Sequence, residues 1–159
     1  MEKAVYRTRG EADTAAFGAA LAAFLRGGDC VLLNGDLGAG KSVMARGIAR
    51  ALGVTDVMPS PTFTIMQPYK GVLPVYHFDL YRIEDPDEFY EAGLNDYLLS
   101  DGISLVEWPQ QADLPELNGI SVTIERLPDD DERRIALCFT GFADREEVLA
   151  NALERWRME

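Results

Sequence analysis

The sequence predicts an α/β fold, with a mixed parallel and antiparallel sheet that is flanked by helices. In the first half of the chain, short apolar strand-like runs alternate with segments of helical spacing, which is typical of a sheet covered by helices. In the second half, two alternating runs at 120–127 and 133–139 are joined by an acidic turn at 128–131, which predicts an antiparallel hairpin. The 159 residues fit one domain, 1–159, and are enough to bury a core.

The first helix is predicted over 11–25, because Phe17, Leu21, Phe24 and Leu25 recur at helical spacing before two glycines end the segment. Elsewhere, strands are predicted where β-branched and aromatic residues cluster, and helices where apolar residues recur every three to four positions. In order, these patterns predict a strand over 30–34, a helix over 42–52, strands over 62–69 and 72–80, a helix over 87–91, a strand over 103–106 and a last helix over 144–156.

Composition and charge restrict the possible partners. Hydrophobic residues make up 47% of the chain and charged residues 26%, which is ordinary for a folded globular protein. The formal net charge is −12, so the surface repels nucleic acid and anionic membranes. We therefore expect any contact with RNA to be indirect, through a protein partner.

The cysteines and the lone histidine argue against a disulfide bond and against a zinc site. Cys30 and Cys138 lie in apolar strand-like runs, where cysteine is usually a small core residue. With His77 as the only histidine, a zinc site would have too few Cys and His ligands, and we expect no zinc.

The segment 11–25 is too short to span a membrane, and the first residues have no apolar signal-peptide core. A reduced cytoplasm is the expected location, with no membrane partner.

One segment matches the phosphate-binding pattern G-x-x-x-x-G-K-[S/T] in full: Gly35-Asp36-Leu37-Gly38-Ala39-Gly40-Lys41-Ser42. Its glycines let the backbone curl so that N–H groups surround a phosphate, Lys41 supplies a positive charge, and the Ser42 hydroxyl can ligate Mg²⁺. A predicted strand comes directly before this loop and a predicted helix directly after, as phosphate capture at a helix N-terminus requires. The sequence therefore predicts a nucleotide-binding, P-loop NTPase-like domain.

Hydrolysis of a nucleotide also needs a carboxylate near the metal and a group that orients water. Strand periodicity places Asp79 on the face shared with His77 and Tyr81, opposite an apolar face. An aspartate in such a strand needs a strong partner. A magnesium ion would be one, and a salt bridge to Arg82 is the alternative.

A second carboxylate, Glu107, follows the apolar run 103–106, where P-loop folds place their ligand-facing edge. It is a candidate to orient water or to bind the metal through water, and the alternative is a partner for a strand-end amide. Trp108 either covers the nucleotide or fills the core. Between the loop helix and Asp79, Thr62 is either a switch-like contact to the γ-phosphate or an ordinary strand threonine.

Taken together, these segments resemble the TsaE family (formerly YjeE), the small ATPases of bacterial tRNA threonylcarbamoyladenosine synthesis. The resemblance covers roughly 10–140, and its pieces stand in the family's order and spacing. The matching pieces are the loop at 35–42, SPTFT at 60–64, HFDLYR at 77–82, GLNDYL at 93–98 and VEWP at 106–109.

The resemblance implies ATP and Mg²⁺ as cofactors, and it implies roles for individual residues. In the implied site, loop 35–42 and Lys41 contact the phosphates, and Ser42 and Asp79 bind the magnesium. Glu107 acts as a metal-water or catalytic carboxylate. Thr62 makes a switch-like contact, and Trp108 lies near the nucleotide. The family often has threonine where this chain has Ser42, and either hydroxyl ligates magnesium. Arg82 is a weaker candidate for an internal charge stabiliser.

The resemblance also implies a partner, the TsaB–TsaD pair, which transfers a threonylcarbamoyl group onto an adenosine of certain tRNAs. The ATPase supports repeated turnover of that pair, so weak hydrolysis alone and stimulation by TsaB–TsaD are expected. Three alternatives stay open: a small-molecule kinase, a GTP-driven switch and a nucleotide-ordered adaptor without hydrolysis. The chain has no Asn-Lys-x-Asp segment to read guanine, and no arginine cluster or lid for a kinase is evident in the sequence.

Overall fold

The computed structural model describes residues 4–58, 65–129 and 131–158. Its strands and helices alternate in the first half of the chain and strands pair in the second, as the sequence predicts. In chain order they are β1 (Ala4–Arg9), α1 (Glu11–Ala22), β2 (Cys30–Asn34), α2 (Lys41–Ala51), β3 (Met66–Lys70), β4 (Pro74–Asp79), α3 (Pro86–Glu91), α4 (Asn95–Leu98), β5 (Ile103–Glu107), β6 (Gly119–Arg126), β7 (Glu132–Thr140) and α5 (Glu146–Ala152), with 3₁₀ turns at Pro109–Gln111 and Glu154–Trp156.

In the described part of the chain, seven strands form one sheet in the order β1-β7-β6-β2-β5-β4-β3. The four inner strands β6, β2, β5 and β4 run parallel, and both sides of the sheet end in antiparallel pairs. The predicted mixed sheet is thus confirmed. Because β2, β4 and β5 are parallel neighbours, their carboxyl ends meet at one edge, where α/β sheets bind ligands.

Both faces of the sheet are covered by apolar side chains. Along β2, Val31 and Leu33 face the larger core under α1 and α2, whereas Cys30 and Leu32 pack with α3 and α4 on the other face. This alternation follows from the two-residue period of a strand. The near-continuous apolar run of β2 therefore reflects burial on both sides.

The helix after the glycine loop, α2, is fixed by close packing against α1. A Cβ at Gly47 would lie 2.4 Å from the carbonyl oxygen of Ala15, and one at Gly18 would lie 2.8 Å from that of Met44. The two helix backbones approach so closely that only glycine fits at both positions. At the start of α2, a Cβ on Gly40 would lie 4.0 Å from Thr14 in the first turn of α1.

Several boundaries differ from the sequence prediction. The strand β1 was not predicted, because its arginines interrupt the apolar pattern, yet it pairs with β7 along its whole length. The short helix α4 was also missed. The last helix, predicted over 144–156, ends at Ala152 and continues only as a 3₁₀ turn.

Other expectations about local structure are confirmed. The acidic turn is the β6–β7 hairpin connection, although residue 130 within it lies outside the described residues. The two cysteines are free, with Cys30 buried. No helix among the described residues combines the length and apolar character needed to cross a membrane.

Candidate active site

A cleft of about 610 Å³ opens at the carboxyl ends of β2, β4 and β5. It contains most of the described residues that the sequence singled out, together with several from α1 and β7. Its lining residues are Gly10, Glu11, Thr14, Leu37, Gly38, Ala39, Gly40, Lys41, Ser42, Val43, Asp79, Tyr81, Glu107, Trp108, Asp131 and Arg133. The parallel sheet therefore brings three distant segments of the chain together at one site.

The glycine loop connects β2 directly to α2, as predicted. Gly38 has a φ of 77° and Gly40 a φ of 116°, a region that residues with a Cβ rarely adopt. At Gly35, a Cβ would lie 2.6 Å from the carbonyl oxygen of Ile124. All three glycines are thus required by backbone shape or by close approach, and helix α2 begins at Lys41.

Lys41 is turned back onto its own loop. Its Nζ donates to the carbonyl oxygens of Gly35 and, at 3.3 Å, of Asp36, and it lies 3.6 Å from the centroid of the Trp108 ring. Burial lowers the pKa of Lys41, and the nearby carboxylates of Glu107, Asp79 and Asp36 partly oppose that shift. The ammonium group is therefore held by the loop and the Trp108 ring, close to where a phosphate would bind.

Glu107 is the centre of a buried polar chain. The Ser42 Oγ donates to both carboxylate oxygens of Glu107, each at 3.1 Å. On its other side, Glu107 Oε2 lies 2.6 Å from the Nε2 of His77. Glu107 is only 3% exposed and His77 only 1%. The side chain is thus not a simple partner for a strand-end amide, which was the alternative interpretation.

The role of His77 was missed from the sequence. The prediction placed it on the face of Asp79 and Tyr81, but it assigned no partner to the ring. The signal that was available is a lone histidine in an otherwise apolar strand, two residues before a candidate carboxylate. Its partner Glu107 lies 30 positions later in the chain, and only the parallel pairing of β4 with β5 brings the two together.

Asp79 is the last residue of β4 and stands opposite Glu107 in the register of β4 and β5. The sequence placed it within a longer strand, but the strand ends there and Asp79 reaches the cleft. Burial raises the pKa of Asp79, and so does the Glu107 carboxylate, while a hydrogen bond from the N–H of Tyr81 at 3.1 Å lowers it. Two carboxylates at facing positions of neighbouring strands favour a cation nearby.

Arg82, the alternative partner of Asp79 and weak candidate charge stabiliser, lines a different cavity beside Gln110 and Gln111 rather than the cleft.

Trp108 takes a left-handed backbone conformation with a φ of 58°, which is uncommon for a bulky residue and marks local strain. Its ring lies 4.8 Å from that of Tyr81. Trp108 lines the cleft, and its partly buried side chain also packs against the smaller core.

Two arginines at the loop were not predicted from the sequence. The Nη2 of Arg126 donates to the carbonyl oxygen of Gly38 at 3.0 Å, and the Nε of Arg133 donates to that of Ala39 at 2.7 Å.

Thr62, the predicted switch-like contact, lies outside the described residues together with the rest of 60–64. Its role stays a prediction.

The chemistry of the donors at the cleft fits a nucleotide with magnesium. The hydroxyl of Ser42 and the carboxylates of Asp79 and Glu107 are the hard oxygen ligands that Mg²⁺ accepts, usually one or two beside phosphate oxygens and water. Among residues 4–58, 65–129 and 131–158, no group of three or more His, Cys, Asp or Glu side chains is arranged to hold a metal ion.

Comparison with known proteins identifies the family. The family model described as threonylcarbamoyl adenosine biosynthesis protein TsaE matches residues 8–135. The chain belongs to the TsaE family. The match agrees with the resemblance seen in the sequence over roughly 10–140, and it assigns the chain to threonylcarbamoyladenosine biosynthesis.

Curated TsaE proteins from several bacteria are similar to the chain over much of its length. The protein from Bacillus subtilis is 42% identical over 158 residues, covering 98% of this chain and 96% of the relative. The protein from Treponema pallidum is 33% identical and covers 77% and 91%, and that from Haemophilus influenzae is 44% identical and covers 67% and 68%. Each is called a tRNA threonylcarbamoyladenosine biosynthesis protein.

A solved structure confirms the α/β fold. The crystal structure of Bacillus subtilis YdiB superposes with a TM-score of 0.77 at 38% sequence identity, and the match covers 98% of this chain and 97% of that one. The TsaE architecture therefore extends over nearly the whole chain, including the C-terminal segment beyond the family model.

Proposed function

We propose that this TsaE protein is a Mg²⁺-dependent ATPase that supports the turnover of the TsaB–TsaD complex in tRNA threonylcarbamoyladenosine synthesis. The observation that carries the proposal is the convergence of four side chains on the glycine-loop cleft: Lys41, Ser42, Asp79 and Glu107. A cation, a hydroxyl and two carboxylates at a helix N-terminus are the groups that phosphoryl transfer to water requires.

Each of these groups has a definite task in the proposed reaction. Lys41 and the loop N–H groups would hold the phosphates, while Ser42 and Asp79 would hold Mg²⁺, which would neutralise charge that develops on the phosphate oxygens. Glu107, fixed by His77, orients the attacking water or a metal-bound water. Thr62 adds a contact that depends on the terminal phosphate.

The structure of the cleft supports weak activity in the isolated chain. Lys41 is bonded to loop carbonyls and Ser42 to Glu107, so a nucleotide has to displace existing contacts before the site is assembled. The net charge of −12 also opposes the approach of an anionic nucleotide. A partner that orders the loop and excludes water would raise the rate, and contact with tRNA would run through that partner.

A second candidate function is a nucleotide-ordered adaptor with negligible hydrolysis. The observation that favours it is that both oxygens of Glu107 are already engaged, by Ser42 and by His77. If these bonds persist with nucleotide bound, they hold Glu107 turned toward Ser42 and His77, and fewer of its lone pairs are left to orient a water. Binding of ATP would then reorganise the loop for a partner without being followed by turnover.

Phosphate release from MgATP by site variants tests the proposal. We expect Lys41→Ala and Asp79→Ala to abolish release, because the first removes the phosphate cation and the second a metal ligand. Lys70→Ala and Asp101→Ala are matched controls at exposed positions and should retain wild-type rates. Full turnover in either site variant would overturn the site assignment, and ATP binding without any release would favour the adaptor.

A further inference from the structure

Two arginines at facing positions of neighbouring strands donate hydrogen bonds to the glycine loop. Arg126, the last residue of β6, stands directly opposite Arg133 of β7. Arg126 donates to the carbonyl oxygen of Gly38 at 3.0 Å, and Arg133 donates to that of Ala39 at 2.7 Å. The two acceptors are consecutive carbonyls of the loop, so the hairpin holds two adjacent peptide planes.

The first of these contacts depends on glycine at position 38. A Cβ there would lie 2.3 Å from the Nη2 of Arg126, and the φ of Gly38 is 77°. Any side chain at Gly38 would therefore displace the guanidinium group as well as strain the backbone. The loop and the hairpin fit each other at this point.

Peptide geometry links these bonds to phosphate recognition. A trans peptide points its C=O and its N–H in opposite directions. The carbonyl of Ala39 shares its plane with the N–H of Gly40, so the bond to Arg133 turns that N–H away from the guanidinium group. A phosphate is bound by N–H groups and repelled by carbonyl oxygens, so the orientation of this plane bears directly on its affinity.

The contacts of Lys41 differ from those of the arginines. Lys41 is held by the carbonyls of Gly35 and Asp36, and it must leave them to reach a phosphate. Arg126 and Arg133 approach the loop from the neighbouring hairpin, which is itself fixed by pairing with β1 and β2. Their bonds to the loop do not have to break when a phosphate binds.

We propose that Arg126 and Arg133 are positioning residues that set the glycine loop for phosphate binding. The inference rests on the proposed function, because it presupposes that the loop binds a nucleotide. The two guanidinium groups orient the peptide planes that carry the N–H groups of Ala39 and Gly40. They also place positive charge beside the loop, in a chain of strongly negative net charge. Removing Arg133 frees the plane that carries the Gly40 N–H, whereas the plane held by Arg126 keeps one further bond, from the Ala39 N–H to the carbonyl oxygen of Asp36 at 3.0 Å.

Calorimetric titration with two probes, MgADP and magnesium pyrophosphate, tests the inference. We expect Arg126→Met and Arg133→Met each to weaken both ligands by about tenfold, as loss of a charged hydrogen bond does. Arg134→Met is the matched control, since Arg134 is the next residue of β7 and pairs with Glu125 at 3.7 Å. It should change neither affinity by more than about twofold.

A spectroscopic readout separates positioning from general stability. In the ¹⁵N-labelled ligand-free chain, the amide signal of Gly40 should shift in Arg133→Met and stay in place in Arg134→Met. Melting temperatures of the ligand-free variants show whether each is folded. Arg126 is the more exposed of the pair at its loop contact, so its variant provides the test if Arg133→Met fails to fold.

The possible outcomes are distinct. Wild-type affinity for both probes in folded variants would overturn the inference and leave the proposed function standing. Weaker MgADP with unchanged pyrophosphate would also overturn it, because the arginines would then contact the nucleoside. A wild-type chain that binds neither probe would refute the proposed function, and the inference with it.

Discussion

The Nε2 atom of His77 lies 2.6 Å from the Oε2 atom of Glu107, and both side chains are buried. A carboxylate accepts at such a distance from an N–H, so the Nε2 of His77 carries the proton. Its other ring nitrogen, Nδ1, has no protein hydrogen-bond partner among the described residues. Among the described residues, Glu107 is therefore the hydrogen-bond partner that orients the ring, and the ring and Ser42 in turn hold Glu107.

Removing the His77 ring should destabilise the protein. His77→Leu leaves the buried Glu107 carboxylate without its closest partner, and breaking a buried pair in this way costs on the order of 3–5 kcal/mol. His77→Gln, which keeps a donor in the same region, should cost less. Urea unfolding at neutral pH measures both. Equal stabilities of the two variants would show that the hydrogen bond does not hold Glu107.

A Glu107→Gln background provides the control for that prediction. In it, His77→Leu should cost clearly less than in the wild type, because a neutral amide is cheaper to leave unpaired than a carboxylate. The same cost in both backgrounds would assign the loss to packing of the ring.

Asp79→Asn should stabilise the metal-free protein at neutral pH. Burial and the Glu107 carboxylate raise the pKa of Asp79, so the folded state binds the proton more tightly than the unfolded state. The resulting stability is present below the ordinary value of about 3.9 and is lost as the pH rises through the raised pKa. Unfolding in EDTA across this interval should show a variant that is more stable at pH 7, with the gap closing in acid. A gap that is independent of pH would contradict the burial argument.

Nucleotide binding should change the fluorescence of Trp108. The Lys41 ammonium lies 3.6 Å from the centroid of its ring, and phosphates in the loop would draw that charge away. Trp156 serves as the internal reference, since its ring packs on Phe17 at 5.3 Å, away from the loop. Addition of MgADP should change the emission of the wild type and leave that of Trp108→Phe unchanged. A persistent change in Trp108→Phe would place the reporter elsewhere.

The crossing of α1 and α2 should be intolerant of a methyl group. In Gly47→Ala the new Cβ would meet the carbonyl oxygen of Ala15 at 2.4 Å, and a backbone atom cannot move aside cheaply. Overpacking of this kind typically costs about 1–3 kcal/mol, enough to outweigh the better helix propensity of alanine. Arg50→Ala, at an exposed position of the same helix, should be nearly neutral in thermal unfolding. Equal melting temperatures would contradict the close packing of the two helices.

The predictable parts of this protein are those that a short stretch of sequence encodes. The loop at 35–42 carries its own signature, and its placement between β2 and α2 follows from apolar runs on both sides. Asp79 was found because an aspartate within a strand needs a strong partner, and Glu107 because it follows an apolar run. That they meet across the neighbouring parallel strands β4 and β5 was not predicted.

The missing parts depend on contacts between distant residues. His77 and Glu107 are separated by 30 positions, and Arg126 by 88 from Gly38. No local pattern reveals such pairs, because they arise from the strand order and from hairpin register. The strand β1 was missed for a related reason: it is held by pairing with β7, and its charged residues conceal the alternation that marks a strand.

We propose that this TsaE protein hydrolyses ATP under the control of TsaB–TsaD. The most direct test is the rate of phosphate release from MgATP by the full chain, alone and with the purified TsaB–TsaD pair. The account predicts slow release alone and strong stimulation by the pair, lost in Lys41→Ala. Unchanged release in the presence of the pair, with ATP still bound, would contradict it.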